Sequence, residues 1–149
     1  MSVAHIHLLL NHFPVIGIIL ATVLLAVAYA KTSNELTKVS LWALAGLAVV
    51  AVIVFLTGEP AEESIEHLQG FSESITERHE EFATVATIFA GALGAIAIGI
   101  LAWLRKAEVS RRLIGVVFVL SLAGSAMMGY TGLLGGQVRH TEIRSGPTD

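Results

Sequence analysis

The sequence predicts an all-α integral membrane protein, folded as a four-helix bundle in the bilayer. Its 149 residues are 54% hydrophobic and 14% charged, whereas soluble domains are about 45–50% apolar and about 25% charged. The mean hydropathy is +0.75. A helix needs about 20 residues to cross a hydrocarbon core of about 30 Å, and each of four apolar stretches is close to that length. The four predicted spans are residues 8–30, 39–57, 82–104 and 113–135.

The composition also excludes several classes of protein. The chain has no cysteine, which excludes disulfides, thiolate metal sites, iron–sulfur clusters and a covalently attached c-type haem. A net charge of −3 provides no broad basic surface for nucleic acid. Because the four spans use most of the chain, we expect residues 1–149 to form a single transmembrane domain.

The first span is expected to be a mature helix rather than a signal peptide. It lacks the basic segment, the short apolar run and the small-residue cleavage site that signal peptides have. Pro14 lies near its start, directly after Phe13. Because proline is best tolerated in the first turn of a helix, we expect a regular helix to begin near Pro14.

Charged residues divide unequally between the two ends of the predicted bundle. The connections after spans 1 and 3 hold six of the nine Lys and Arg residues, namely Lys31, Lys38, Arg105, Lys106, Arg111 and Arg112. We call this the basic end, and the positive-inside rule makes it cytoplasmic. The opposite, acidic end holds both termini and the loop between spans 2 and 3. We therefore expect a bacterial inner-membrane protein with its acidic end outside.

The long loop between spans 2 and 3 is expected to be ordered, because structureless loops of this length are uncommon. Pro60 suits the first turn of a helix. One stripe of that helix would hold Ala61, Ser64, Ile65 and Leu68. This pattern predicts an amphipathic helix at the membrane interface that ends at Gly70. Ser74 and Glu77 have the spacing of a capping box, so the third membrane helix is expected to start about two turns before Phe82.

Spans 3 and 4 carry small residues at helical spacing. These residues are Gly91, Gly94 and Gly99 in span 3, and Ser121, Ser125 and Gly129 in span 4. Such residues let membrane helices approach closely, although they would also make room for a flat macrocycle. His79 lies on the seam of span 3 that alternating spacings of three and four assign to the bundle interior, so its ring is predicted to point inward.

All six histidines lie at the acidic end. They are His5, His7 and His12 before span 1, His67 and His79 in the loop, and His140 after span 4. Ionisable residues at the edge of a span are candidates for function. We expect His12, His79 and His140 to converge, because they enter from three helices at similar depth. His67 is a fourth candidate, whereas His5 and His7 are expected to be incidental.

Ligands on diagonal helices at equal depth are what a bis-histidine haem requires. The leading hypothesis is therefore a membrane protein that carries haem b and transfers electrons at the outer face. His12 and His79 would be its axial ligands. His140 and His67 would ligate a second haem or bind the propionates.

Two alternatives stay open at this point. The first is a bare Cu, Zn or Fe ion held by the same four histidines together with Glu63. The second is an accessory subunit of a larger membrane complex, or a homo-oligomer, in which the acidic loop docks a partner through Ile65 and Leu68. The sequence lacks nucleophile-elbow, P-loop and dinucleotide motifs and therefore supports none of the reactions that depend on them. Whether the protein is an enzyme stays open.

Short motifs in the chain resemble those of a group of uncharacterised bacterial four-helix membrane proteins. These proteins often begin with His-Pro-x-x-x-His-Phe-Pro and end in a Gly-Gly turn. The matching segments here are residues 7–14, Thr57-Gly58, His79 and residues 135–138, with Leu8 in place of the first proline. Some relatives are joined to Rieske or cytochrome domains. The resemblance therefore implies redox work beside a cytochrome, a Rieske protein or a quinone-linked complex.

Overall fold

The structure, a computed structural model, describes residues 2–104 and 110–144. Its helices are α1 (Val3–Lys31), α2 (Asn34–Leu56), α3 (Gly58–Glu63), α4 (Glu73–Leu104) and α5 (Arg111–Arg139), followed by a 3-10 turn at Thr141–Ile143. Every helix except the short α3 is long and apolar enough to cross a membrane. The predicted all-α membrane bundle with an additional loop helix is therefore confirmed.

The four long helices form a ring in the order α1, α2, α4, α5. Each packs against its two neighbours, so α1 lies diagonally opposite α4, and α2 lies opposite α5. Fully buried side chains along the axis include Ile18, Leu25, Leu41, Leu44 and Val117.

The outer surface of the ring is apolar as well. Large side chains such as Leu20, Trp42 and Trp103 are 63%, 65% and 65% exposed. Exposed apolar side chains on all four helices of the ring would be costly in water, but they are the normal surface of a bundle surrounded by lipid. The exposed surface and the lengths of the helices together indicate a protein embedded in the bilayer.

Small residues bring α4 close to α2. A Cβ atom added at Gly94 of α4 would overlap the Cβ of Ala48 on α2 and lie 3.6 Å from the Cα of Ala45. A Cβ at Gly91 or Gly99 would meet nothing within 4 Å. Of the three glycines in span 3, Gly94 therefore serves close packing, while the other two face open space.

The boundaries at the acidic end differ from the sequence-based expectations. Helix α1 is continuous from Val3 through a buried Pro14, so the expected start near Pro14 is wrong. Helix α4 starts at Glu73 and the Thr76 amide donates to the Ser72 carbonyl. The expected start about two turns before the apolar span is correct, but the first turn begins just before the predicted capping box.

The loop helix is shorter than predicted. Helix α3 ends at Glu63, and residues 64–70 form turns rather than an amphipathic helix. The Ser64 hydroxyl donates to the Ala61 carbonyl at 2.6 Å, a local bond that competes with helical continuation. Ala61 is buried, but Leu68 is exposed, so the predicted apolar stripe is buried only in part.

Arg144 ties the C-terminal segment to the loop. Its guanidinium donates to the carbonyls of Gln137 and Val138, at 2.8 and 3.0 Å, which lie at the end of α5. It also donates at 2.9 Å to the carbonyl of Gly70, a residue with φ of 85°. These bonds satisfy carbonyls that a helix end leaves without partners, and they hold the acidic end together.

Candidate functional site

A cavity of about 790 Å³ opens at the acidic end of the bundle. We call it the acidic-end cavity. Its apolar lining includes Val15, Ala83 and Met128, which come from α1, α4 and α5. Its polar lining includes His7, Asn11, Glu62, His79, Glu80 and Thr131. The cavity lies where α3 and the first turns of α4 extend beyond the apolar spans.

His7 reaches the cavity from α1 and is held by the end of α2. Its Nδ1 lies 2.9 Å from the Thr57 hydroxyl oxygen, and that hydroxyl donates at 2.7 Å to the Val54 carbonyl. Because the Thr57 proton is already engaged, the Nδ1–H of His7 must be the donor to Thr57. This arrangement fixes the neutral ring as the tautomer whose Nε2 carries a free lone pair.

His79 reaches the cavity from α4 on the opposite side of the ring. It is half-buried, as its position on the seam predicts, and a Cβ at Gly135 of α5 would lie 3.1 Å from its Cε1 atom. Among the described residues, the Nδ1 of His79 is the one buried side-chain polar atom without a hydrogen-bond partner. Buried polar atoms are rarely left unpaired, so this atom is available to a hydrogen-bond partner from outside the chain.

Two carboxyl groups meet beside these histidines. Glu62 of α3 and Glu80 of α4 both line the cavity. A hydrogen bond with Glu80, then desolvation and the charge of Glu80, raise the pKa of Glu62 from 4.5 to about 7, against the opposing effect of His79. Ionising both carboxyl groups would place two negative charges side by side, so the neutral form of Glu62 is favoured.

The expected convergence of His12, His79 and His140 is wrong. His12 is exposed, and its Nδ1 lies 2.6 Å from the Leu8 carbonyl of its own helix. Because α1 is continuous, the step of five positions from His7 to His12 turns them about 140° apart at about 100° per residue. The rotation that brings His7 to the cavity therefore turns His12 away from it.

The other two predicted cofactor ligands also lie outside the cavity. His140 is exposed at the end of α5, where its Nδ1 contacts Glu142 at 2.9 Å. The pKa of Glu142 is lowered by its own backbone N–H and by this contact with His140. His67 is exposed in the turns after α3. Both residues lie where the chain has left a regular helix, so helix geometry does not direct them inward.

The predicted metal site is not assembled. Within residues 2–104 and 110–144, no group of three or more His, Cys, Asp or Glu side chains is placed to hold a metal ion. Glu63 lies at the cavity rim, but three of the histidines predicted to accompany it are elsewhere. The bare-metal alternative therefore lacks a ligand set in this part of the chain.

His7, which was expected to be incidental, lines the cavity, and the Glu62–Glu80 pair was not predicted from the sequence. His7 lies seven residues before Pro14 and eleven before Ile18, spacings that put all three on one face of a continuous helix. Pro14 and Ile18 are buried, so extending their stripe towards the N-terminus would have identified His7. No comparable signal pairs Glu62 with Glu80, because the fold alone brings α3 beside α4.

Comparison with protein families agrees with this architecture. A family model described as "Predicted membrane protein (DUF2231)" matches residues 4–142. Comparisons with curated proteins and with solved structures give no match. The matched range includes His7 and His79, which line the cavity, and the end of α5.

Proposed function

We propose that this chain, which belongs to the DUF2231 family of predicted membrane proteins, works by binding an amphipathic organic molecule in the acidic-end cavity. The cavity itself carries this proposal. Its volume of about 790 Å³ is within the roughly 300–1,000 Å³ typical of small-molecule sites. Its largely apolar lining with a few polar groups is also typical of such sites. At the membrane boundary it would accept a ligand with an apolar body and a polar head.

The polar groups define the head of that ligand. His7 offers the Nε2 lone pair as a hydrogen-bond acceptor, since its Nδ1–H is engaged by Thr57. Glu62, whose pKa is raised to about 7, can donate a proton to a ligand or accept one from it near neutral pH. His79, with an unpaired Nδ1, would gain a hydrogen bond that the protein itself does not provide. A ligand with both donor and acceptor groups satisfies all three.

The proposal is tested by identifying what the protein carries when purified. Wild-type protein in mild detergent would be extracted with organic solvent, and the extract analysed by mass spectrometry. We expect one small molecule near a 1:1 ratio to protein, lost in His79→Phe, which replaces the imidazole with a ring that cannot form hydrogen bonds. His67→Phe, the same change at an exposed histidine, should retain it. An extract without any stoichiometric molecule would contradict the proposal.

A second candidate function is haem b binding and electron transfer, with a revised ligand pair. One observation favours it: His7 and His79 lie on the diagonal helices α1 and α4 and line the same cavity. The hydrogen bond from His7 Nδ1 to Thr57 also resembles the outer-shell bonds that orient metal-ligating imidazoles. A bound haem would supply one-electron transfer, and the acidic end would face a cytochrome or Rieske partner.

An absorbance spectrum separates the two candidates. Haem b gives a Soret band and a reduced α-band after dithionite, and His7→Leu or His79→Leu should abolish both bands. His12→Leu should leave them unchanged, since His12 faces away from the cavity. Wild-type protein without a Soret band would exclude the haem candidate and leave the organic ligand. A spectrum that depends on His12 rather than His7 would refute the revised pair.

A further inference from the structure

A second, smaller depression lies at the basic end of the bundle, between α1 and α5. Its volume is about 380 Å³. It is lined by Tyr29, Arg112, Gly115, Val116, Val119 and Leu120. We call it the basic-end groove. A Cβ at Gly115 would lie 3.6 Å from Cε2 of Tyr29, an ordinary contact, so the glycine leaves space that a longer side chain would fill.

Guanidinium groups lie at the polar end of this apolar groove. Arg112 is part of its lining, and the guanidinium carbon of Arg111 lies 4.6 Å from the centre of the Tyr29 ring. Tyrosine and arginine at the end of a membrane helix are at the depth of lipid headgroups. The groove thus combines an apolar floor towards the bilayer centre with positive charge at the level of the phosphates.

We propose that the basic-end groove binds one anionic phospholipid, with its phosphate at Arg112 and an acyl chain along α5. From Gly115 to Leu120 the floor covers about 7.5 Å of helix at 1.5 Å per residue, a length that suits several methylene groups of an acyl chain. Charge complementarity selects the occupant: Arg111 and Arg112 lie beside the groove, and basic residues near the membrane surface attract anionic headgroups.

The test measures lipid binding to the full chain in detergent micelles by native mass spectrometry. Phosphatidylglycerol is the anionic probe and phosphatidylcholine the neutral one. We expect wild type to prefer phosphatidylglycerol, and Arg112→Gln to weaken that binding roughly fivefold, as expected for one surface charge. Lys38→Gln removes the same charge from α2, across the ring from α5, and should change nothing. Gly115→Leu keeps every charge, fills the groove and should weaken the binding of both lipids.

Three results would overturn the proposal. Equal affinity of the wild type for the two lipids would remove the role of the headgroup charge. An equal loss in Lys38→Gln would show that the whole basic end, rather than this groove, attracts the lipid. If Gly115→Leu left lipid binding intact but changed the mass of the assembly, the groove would instead hold a second copy of the chain.

Discussion

Replacing Glu80 with glutamine is expected to return the pKa of Glu62 from about 7 to near its ordinary value of 4.5. The hydrogen bond with Glu80 is the largest cause of the raised pKa, and the charge of Glu80 adds to it. Glutamine removes the second negative charge, and its amide can donate to an ionised Glu62. Both effects favour the carboxylate form of Glu62, which lowers its pKa.

The size of the expected change follows from the two pKa values. At pH 6, a carboxyl group with a pKa of about 7 is roughly 90% protonated, whereas one at 4.5 is roughly 3% protonated. The raised pKa means that the folded protein binds more protons than the unfolded chain between pH 4.5 and about 7. The contribution of Glu62 to the stability of the folded protein is therefore largest below this window and is lost as the pH rises through it. Glu80→Gln should remove most of that pH dependence.

Carbon-13 NMR of the glutamate side chains, recorded against pH in detergent micelles, measures this pKa directly. Glu63→Gln is the matched control, since it removes an equal charge from the exposed neighbour of Glu62 on α3. In that variant Glu62 should still titrate near pH 7. A Glu62 pKa near 4.5 in the wild type, or a Glu62 pKa that stays near 7 in Glu80→Gln, would contradict this prediction.

Three further predictions follow from contacts elsewhere in the bundle. Gly94→Ala should lower the free energy of unfolding by about 1–3 kcal/mol through overpacking against α2, whereas Gly91→Ala should be neutral or slightly stabilising; equal values in reversible unfolding would contradict this packing. Arg144→Ala removes its hydrogen bonds to three carbonyls, so amide exchange in the last turn of α5 should accelerate, and unchanged exchange would deny this role. Thr57→Val removes the acceptor for His7 Nδ1, so nitrogen-15 NMR should show a mixture of His7 tautomers instead of one, and a single unchanged tautomer would argue against the assignment.

The fold was predictable from the sequence because the bilayer permits few alternatives. Backbone polar groups in hydrocarbon must be paired within the chain, which turns each long apolar run into a helix. The predicted span at residues 82–104 lies inside α4, and the span at residues 113–135 lies inside α5. Helices α1, α4 and α5 extend beyond the apolar runs at the acidic end, where polar residues continue the helix outside the hydrocarbon, so hydropathy alone could not give their ends.

The site was less predictable because it depends on rotation rather than on depth. His12 and His7 both lie at the right depth on α1, and the expected break near Pro14 left their directions undetermined. An interior proline removes one backbone hydrogen bond, but membrane helices tolerate this loss because neighbouring groups satisfy the freed carbonyl, and α1 continues through Pro14. Its continuity decides that His7 faces the cavity. The contribution of Glu62 depends on how α3 folds back onto the bundle, which local sequence patterns do not encode.

The position of the cavity favours chemistry at one membrane face over passage through the membrane. Below the cavity the axis of the ring is filled by buried side chains such as Ile18, Leu44 and Val117. Buried polar groups in the middle of the spans are satisfied locally: the Thr22 hydroxyl donates to the Ile18 carbonyl at 2.7 Å, and the Ser125 hydroxyl donates to the Ser121 carbonyl at 2.8 Å. A pathway for ions would need ionisable or hydrated groups at that depth, and the four predicted spans contain no Asp, Glu, Lys, Arg or His there. The titratable groups of the cavity can therefore exchange protons with a ligand or with water at the acidic end.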